Sequence, residues 1–417
     1  MVTSFVPLVF LFAQVDPSLA PPPPPPPAIQ PSTAAAPGAS LLNPAISLIL
    51  DGTFGYYGKS RADFRALGLP LAGDDPAGPS PAMSATPNGR EGFGVQEVEL
   101  AASAAIDPYL EGAVFLTIPN LDGLEVEEAY LVTTALPANL QFKAGTFRSQ
   151  LGRNNTQHLH LQNFTRRPLM TALLFGEDGL RGPGAQASVL LPLPWFATFF
   201  VEAFSIGAPD DPTIEPTFTS TFGGGARDTP RNLTYTAVLE QSWDLGDDTT
   251  AVLGLNFATG RAVDCAPPAA TCDATTNGAP RSYLYGGDFY LKWKPANVAQ
   301  SYASLQWTTE VFARTVADGG ATAGAGYTEP VLQFARRWYV GGRFDVTGLP
   351  TGERDGVVTA GSLPRRYGYA ASLTFAPSEF SRFRLYAQEL AGPGVPSSTV
   401  GFLQAEMSMG AHGAHPF

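Results

Sequence analysis

A group of basic residues between Arg148 and Arg167 is the part of this sequence whose residue types could bind a ligand. The group contains Arg148, Arg153, Arg166 and Arg167. A guanidinium group pairs well with phosphate or carboxylate, so these side chains could attract anions in a confined polar space. They could equally bind carboxylates of the protein itself, such as Glu97 or Glu240, and so fix the segment that carries them. The sequence leaves both interpretations open.

The same segment contains the pair His158-Leu-His160. Imidazole suits Zn, Cu and Ni, and in an extended segment both rings would share one face. A structural zinc site needs four ligands and a catalytic one needs three plus water, and the sequence shows no third ligand for this pair. His412 and His415, near the end of the sequence, are expected too far away to complete the site. The pair is therefore interpreted either as two metal ligands or as part of a hydrogen-bonded loop.

Cys265 and Cys272 enclose the residues APPAAT in a predicted outer loop. In an oxidising envelope compartment, a disulfide that closes this loop is the expected outcome. A metal site or redox catalysis would need further ligands or a Cys-x-x-Cys arrangement, which the sequence lacks.

Signatures of catalysis are missing. There is no Gly-x-Ser-x-Gly turn, no phosphate-binding glycine loop followed by Lys-Ser/Thr, and no histidine on a predicted strand. A membrane-barrel hydrolase needs a histidine base near a serine or carboxylate, and only His158 could serve. We therefore expect neither an enzyme nor a bound cofactor.

The composition limits what kind of domain could position these residues. Only 15% of the 417 residues are charged, and the chain contains 44 Gly and 39 Pro. A typical soluble domain has roughly 25% charged residues, and many Gly and Pro favour turns over long helices. No segment approaches the roughly 20 apolar residues of a membrane-spanning helix. The net charge of −12 argues against a nucleic-acid partner, because such binding depends on clustered Lys and Arg.

From Ala45 onward, apolar and polar residues alternate in about sixteen segments of the length that a tilted strand needs to cross a bilayer. In SYLYGGDFYLKWK (282–294), Tyr285, Phe289 and Leu291 share one side, and Asp288 and Lys292 share the other. A soluble core could not hold many charges of both signs without a large desolvation cost, whereas a water-filled lumen can. The apolar side is therefore expected to face lipid. The charged residues expected to line the lumen are Glu97, Glu99, Glu111, Glu240, Asp288, Lys292, Lys294, Glu310, Arg314, Arg343, Asp345, Arg382, Arg384 and Glu406.

Short and long connections between the segments alternate along the chain. Even-numbered strands end in tight turns such as Asp107-Pro108, and odd-numbered strands mostly end in long loops such as 59–91 and 153–178. This pattern predicts an all-β fold, a transmembrane antiparallel up-and-down β-barrel in the outer membrane of a Gram-negative bacterium. Sixteen strands would leave an aqueous channel. The alternative, a large soluble all-β protein, would have to explain aromatic residues such as Trp293 on a face without charge.

The termini complete the predicted organisation. Residues 1–20 hold an apolar run of signal-peptide length but no positive residue before it, and 21–44 form a Pro/Ala-rich periplasmic leader. The barrel is expected to span residues 45–417. Phe417 is interpreted as the terminal aromatic residue that the barrel assembly machinery recognises, although the residues before it lack the usual alternating apolar pattern.

Four stretches resemble a group of porin-like proteobacterial outer-membrane barrels related to phosphate-selective porins. They are LNPAISLILDG (42–52), GTFRSQLGRNNTQHLHLQNFTRRPLM (145–170), FAPSEFSRFRLYAQE (375–389) and GAHGAHPF (410–417). Members are often labelled zinc-regulated TonB-dependent receptors. Such a receptor needs a plug domain and a 22-stranded barrel, and nothing before Pro44 could form a plug.

The resemblance implies that the loop after the fifth strand folds inward and narrows the pore. Arg148, Arg153, Arg166 and Arg167, opposed by Glu97 and Glu240, would then form an anion-preferring constriction in a passive channel for small hydrophilic solutes. The competing interpretation is a non-conducting barrel, a surface receptor or scaffold whose long loops bind a ligand or metal. The expected partners are outer-membrane lipid, solutes and the assembly machinery, and the sequence leaves open whether the barrels form homotrimers.

Overall fold

The computed structural model describes residues 44–59, 92–121, 123–176, 179–206, 222, 232–261, 281–296, 302–317, 322–350, 363 and 365–410. The predicted signal peptide and almost all of the predicted leader lie outside these ranges. So do Cys265, Cys272 and Phe417, so the proposed disulfide and the proposed assembly signal stay predictions.

Within the described residues the chain forms one closed barrel of sixteen antiparallel strands, in which each strand pairs with its neighbours along the chain and β1 pairs with β16. The predicted fold class is thereby confirmed. The strands are β1 (Ala45–Tyr57), β2 (Gly92–Asp107), β3 (Leu110–Pro119), β4 (Glu125–Thr133), β5 (Leu140–Arg148), β6 (Arg181–Leu190), β7 (Phe196–Phe204), β8 (Thr234–Asp244), β9 (Thr249–Arg261), β10 (Arg281–Trp293), β11 (Ser304–Val316), β12 (Thr322–Ala335), β13 (Trp338–Pro350), β14 (Arg366–Ser378), β15 (Ser381–Gly392) and β16 (Val395–Gly410).

The two faces of the barrel wall differ as the alternation predicts. On β11, Glu310 is completely buried, whereas its neighbour Val311 is 58% exposed and Trp307 is 44% exposed on the outer face. On β10, Asp288 is buried and Tyr285 points outward. Because a water-soluble protein rarely exposes so large an apolar surface, this surface is the one that contacts lipid.

The connections agree with the predicted sorting at one end and only in part at the other. The turns after the even-numbered strands are short, as in the pair Arg336 and Arg337 between β12 and β13. At the other end, β15 and β16 are joined by the two residues Pro393 and Gly394, and β11 and β12 by residues 317–321. These two connections are shorter than the long loops that the pattern predicts at this end, because β12 begins at Thr322 and β16 at Val395.

The connection between β5 and β6, residues 149–180, lies against the inside of the wall, and we call it the inner loop. It carries a short helix, α1 (Leu169–Leu174), which directly follows Pro168 and contacts β12 and β13. Helical periodicity is not visible in this segment because six residues are too few to show it. Among the described residues, no helix combines the length and the apolar character that crossing a membrane requires.

Gly152 begins the inward course of the inner loop. Its φ of +75° lies in the left-handed region that glycine adopts without strain. A Cβ atom at this position would lie 2.6 Å from a carboxylate oxygen of Glu310. The Gly152 N–H donates to Asn256 Oδ1 at 2.9 Å, which fixes the turn to the wall.

Apolar side chains fill part of the lumen near the end of the barrel that carries the inner loop. Phe164 and Leu169 of the inner loop pack into a buried cluster with wall residues that include Tyr386 and Phe402. The sequence predicts a polar lumen throughout, and this part differs. The apolar wall residues face inward here because the inner loop, rather than water, covers them.

Candidate functional site in the barrel lumen

Arg343 on β13 holds the second half of the inner loop. Its guanidinium donates to the carbonyl oxygens of Arg166 at 2.8 Å and Arg167 at 3.3 Å. The same group pairs with Asp345 at 3.0 Å, and Asp345 accepts the N–H of Leu169 at 2.9 Å. Alternate residues of one strand thus face the lumen together and bind consecutive parts of the loop.

Arg382 and Arg384 on β15 hold the middle of the inner loop. Arg384 donates to the carbonyl oxygen of Gln162 at 2.8 Å, and Arg382 donates to the carbonyl oxygen of His160. Arg382 also forms an ion pair with Glu406 of β16. These predicted lumen residues therefore satisfy backbone acceptors that would otherwise be buried without partners.

Carboxylates hold the first half of the inner loop. Glu310 accepts the N–H of Asn154 at 2.6 Å and the hydroxyl hydrogen of Tyr327 at 2.6 Å. Glu202 of β7 accepts the N–H of Gln150 at 3.1 Å. The wall thus contacts the loop from β7 through β15, and charge-assisted hydrogen bonds of this kind are among the stronger ones.

Three of the four arginines predicted for the constriction bind protein groups. Arg148 forms an ion pair with Glu127 of β4, and Arg166 lies 3.5 Å from the amide oxygen of Gln388. Arg167 donates to two backbone carbonyl oxygens inside the inner loop. All three side chains are buried. Their contacts match the interpretation in which arginines fix the loop, although Arg148 binds Glu127 rather than Glu97 or Glu240.

Arg153 has different surroundings. Its guanidinium lies over the ring of Tyr290, 3.7 Å from the centroid, and it interacts electrostatically with Glu240 and Asp288. It borders a narrow cleft of about 50 Å³ between the inner loop and the wall. Polar residues dominate the lining, which includes Arg153, Asn163, Gln306, Thr308, Glu329 and Arg382. This cleft is the polar space that a solute inside the barrel would meet beside the inner loop.

The remaining predicted lumen residues occupy several levels of the wall. Arg314 is buried on β11, and Lys292 is partly buried on β10. Lys294 lies just beyond the end of β10 and is exposed, and its N–H donates to the carbonyl oxygen of Asp248 in the turn between β8 and β9. Lys294 therefore belongs to the rim of the barrel rather than to the middle of the lumen.

Two histidines and four glutamates meet where the inner loop contacts β2 and β4, and we call them the histidine–glutamate cluster. Its members are His158, His160, Glu97, Glu99, Glu127 and Glu128, and all six are buried. Glu97 and Glu99 are two residues apart on β2 and share its inner face. Leu159–Leu161 forms a single 3-10 turn rather than the extended segment expected, yet both imidazoles face this side of the wall.

A β-bulge explains why Glu127 and Glu128, which are adjacent in sequence, both point inward. The register shifts between Phe115 and Leu116 of β3, so Phe115 pairs with Glu128 and Leu116 with Val126. Glu127 is the extra residue, and a bulge of this kind turns two consecutive side chains toward one face. The ring of Phe115 packs beside His158, with centroids 4.7 Å apart.

The polar atoms of the histidine–glutamate cluster are close together. His158 Nδ1 lies 3.3 Å from Glu99 Oε2 and 3.2 Å from Glu127 Oε2, and His158 Nε2 lies 3.1 Å from Glu128 Oε1. His160 Nδ1 lies 3.4 Å from the same Glu99 oxygen. Burial alone would lower the pKa of His158, but the carboxylates of Glu127 and Glu99 raise that pKa well above its ordinary value.

The sequence showed the two histidines but no third ligand beside them. The structure places four carboxylates next to the pair. Glu97 and Glu99 were predicted to face the lumen, but nothing local placed them beside a loop that follows some fifty residues later. Glu127 and Glu128 were missed because strict alternation sends one of two adjacent residues outward. The consecutive pair of acidic residues inside a strand was the available signal for a bulge.

A closed barrel of sixteen strands, apolar outside and charged inside, defines an outer-membrane β-barrel protein with the fold of the porins. The chain belongs to the same family as an uncharacterized protein of Aquifex aeolicus (strain VF5). The two are 30% identical over 401 residues, which cover 90% of this chain and 80% of that protein. No family model matches the sequence.

Solved structures with a similar fold are porins and channels. They include the anion-selective porin from Comamonas acidovorans, with a TM-score of 0.51 and 12% identity over 88% of this chain and 99% of that one. OprB of Pseudomonas putida has a TM-score of 0.53 and 10% identity, over 88% and 94%. The outer membrane channel DcaP of Acinetobacter baumannii has a TM-score of 0.52 and 10% identity, over 88% and 97%. Such identities show the fold alone. That fold, a closed barrel with an apolar outer face, confirms the predicted location in the outer membrane.

Proposed function

We propose that the protein is a passive channel that lets small hydrophilic solutes diffuse across the outer membrane, with a preference for anions. The observation that carries the proposal is the polar cleft between the inner loop and the wall, bordered by Arg153 and Arg382. Porin-fold proteins whose names describe a channel or an anion-selective porin support it. The proposed activity needs neither covalent chemistry nor energy coupling.

The charges around the cleft give the reason for an anion preference. Several interior arginines form ion pairs with carboxylates, as Arg343 does with Asp345 and Arg382 with Glu406. Arg153 instead lies over an aromatic ring and forms no ion pair among the described residues. A guanidinium at the edge of a confined polar space lowers the energy of a passing anion. Selectivity is therefore proposed to depend on Arg153 more than on Arg148, Arg166 and Arg167.

Planar-bilayer recording tests both parts of the proposal. Purified protein is expected to give stable open conductance, and the reversal potential in a KCl gradient is expected to favour chloride. Arg153→Gln should reduce or abolish the chloride preference while the channel still opens. The matched control is Arg181→Gln, since Arg181 pairs with Glu125 at 3.3 Å outside the cleft.

Each result has a defined meaning. Folded barrels that insert without conductance would refute the channel and favour the non-conducting receptor or scaffold. Open channels whose selectivity is the same in Arg153→Gln and in the wild type would keep the channel but remove Arg153 as the selective residue.

A further inference from the structure

We propose that the histidine–glutamate cluster binds a divalent transition-metal cation, with Glu99 as the ligand shared by both histidines. This site goes beyond the proposed channel, since conduction does not require it. The sequence supplied only two nitrogen ligands. The structure adds carboxylates from two strands of the wall, and it brings them to the same point as the histidines.

The geometry of the cluster matches the ligand spacing of a bound metal ion. Two groups of three ligands share Glu99: His158 with Glu127, and His160 with Glu97, and in each group the ligand atoms lie within 4.8 Å of one another. A tetrahedral cation with bonds of about 2.0–2.1 Å holds its ligand atoms about 3.3 Å apart. The separations of Glu99 from His158 and His160 are 3.3 and 3.4 Å, which is this spacing.

The buried carboxylate oxygens of the cluster favour a cation as a partner. Both carboxylate oxygens of Glu99 are buried, and one of them lies 3.3 and 3.4 Å from the imidazole nitrogens of His158 and His160. The buried Oε1 of Glu128 lies 3.1 Å from His158 Nε2. Buried carboxylates need hydrogen-bond donors or cations, because removing their charge from water is costly. A cation between Glu99 and the imidazoles supplies such a partner.

The charges of the cluster also favour a cation. Four carboxylates converge, and the one arginine that forms an ion pair with them among the described residues is Arg148, which contacts Glu127 and lies 3.9 Å from Glu128. Nitrogen and oxygen ligands together select Zn²⁺, Mn²⁺ or Fe²⁺ over Ca²⁺ and Mg²⁺, which prefer oxygen alone. The class of ligand is thus a first-row divalent metal.

The bound metal would join the middle of the inner loop to β2 and β4. His158 and His160 belong to the loop, Glu99 to β2 and Glu127 to β4. The hydrogen bonds from Arg382 and Arg384 reach the same part of the loop from β15, which is separated from β2 by β16 and β1. A metal bound by the cluster therefore adds an attachment between the loop and the part of the wall formed by β2 and β4, where His158 and His160 meet carboxylates.

The test measures metal binding by the full chain, produced without a histidine tag and refolded in detergent after removal of metal. Zn²⁺ and Mn²⁺ are titrated calorimetrically, each in competition with a chelator of known affinity. Saturable binding to the wild type is expected. Glu99→Gln, which keeps the size but removes the charge, should weaken binding by more than about 100-fold, since loss even of outer-shell partners costs 10–100-fold. His158→Ala with His160→Ala should do the same.

Two controls make the result specific. Glu310→Gln alters another buried glutamate that binds the inner loop, and it should leave metal affinity within about threefold of the wild type. His412→Ala with His415→Ala removes the chain's other two histidines and should also keep binding. Far-ultraviolet circular dichroism and heat-dependent gel migration identify folded barrels, and only these are compared.

The outcomes decide the proposal. A folded wild type that binds neither cation refutes it, whatever the variants do. Binding that survives Glu99→Gln and the double histidine variant, or that is lost with His412 and His415, assigns the metal elsewhere and also refutes it. A conducting wild type without metal binding would leave the proposed channel intact, so the two proposals fail separately.

Discussion

Replacing Arg343 by methionine is expected to release the inner loop from the wall. Arg343 is buried, donates to two carbonyl oxygens of the loop and pairs with Asp345 at 3.0 Å. Methionine fills a similar space but leaves Asp345 as a buried charge without its guanidinium. Removing one partner of a buried ion pair costs about 3–5 kcal/mol, and we expect Arg343→Met to lower the free energy of unfolding by that amount.

A second substitution separates the charge effect from the loss of packing. Asp345→Asn removes the negative charge and keeps an amide oxygen that can accept the N–H of Leu169. In the Arg343→Met background, this change should recover about 1–2 kcal/mol, because interacting pairs typically couple by about 0.5–3 kcal/mol. The measurement is urea unfolding of the folded barrel, followed by tryptophan fluorescence.

Trypsin gives an independent measure of the loop. The bond after Arg166 lies in the inner loop, and Arg166 is buried with its carbonyl oxygen bound by Arg343. Wild-type barrels should resist cleavage there, and Arg343→Met barrels should be cut. Equal stability and equal protease resistance in the two proteins would refute the role assigned to Arg343. A double variant no more stable than Arg343→Met would refute the charge-based reason.

Two further predictions concern the backbone and the outer face. Gly152→Ala should cost about 1–2 kcal/mol, because the left-handed region is strained for residues with a Cβ and that atom would meet Glu310; Gly342→Ala, with no atom near its Cβ, is the control, and equal unfolding midpoints would contradict the prediction. Val311→Arg places a charge in mid-strand on the lipid face and should cost about 2–4 kcal/mol, against about 0–1 kcal/mol for Phe334→Arg on the outer face near the end of β12, as measured by urea unfolding in lipid vesicles. Equal losses for the two arginine variants would mean that Val311 does not face hydrocarbon.

The wall of the barrel was predictable because its signal is local. In β10 and β11 the side-chain period of two separates Asp288 and Glu310 from Tyr285 and Val311 without reference to any other segment. Strand ends were less well predicted where alternation fades into a loop. β5 was predicted to extend to residue 152 but ends at Arg148. The residues after it belong to the inner loop, which turns into the lumen at Gly152.

The interior was not predictable from local patterns, because its contacts join distant parts of the chain. The resemblance to porins implied an inward loop, but not that Arg148 pairs with Glu127 or that Phe164 packs beside Tyr386. The bulge at Glu127 depends on the pairing of β3 with β4, which alternation within one strand does not specify. Sequence therefore identified inward-facing residues such as Asp288 and Glu310, whereas Glu127, Glu128 and the partners of all of them required the three-dimensional arrangement.

The hydrogen bonds from β15 to the inner loop also order events during assembly. Arg382 and Arg384 are each separated by 222 residues from the carbonyl oxygens that they bind in the loop. Because the chain is synthesised from its N-terminus, the inner loop exists long before the strand that carries Arg382 and Arg384. The loop therefore reaches its final position only after the last strands have formed, so its full set of wall contacts exists only in the completed cylinder.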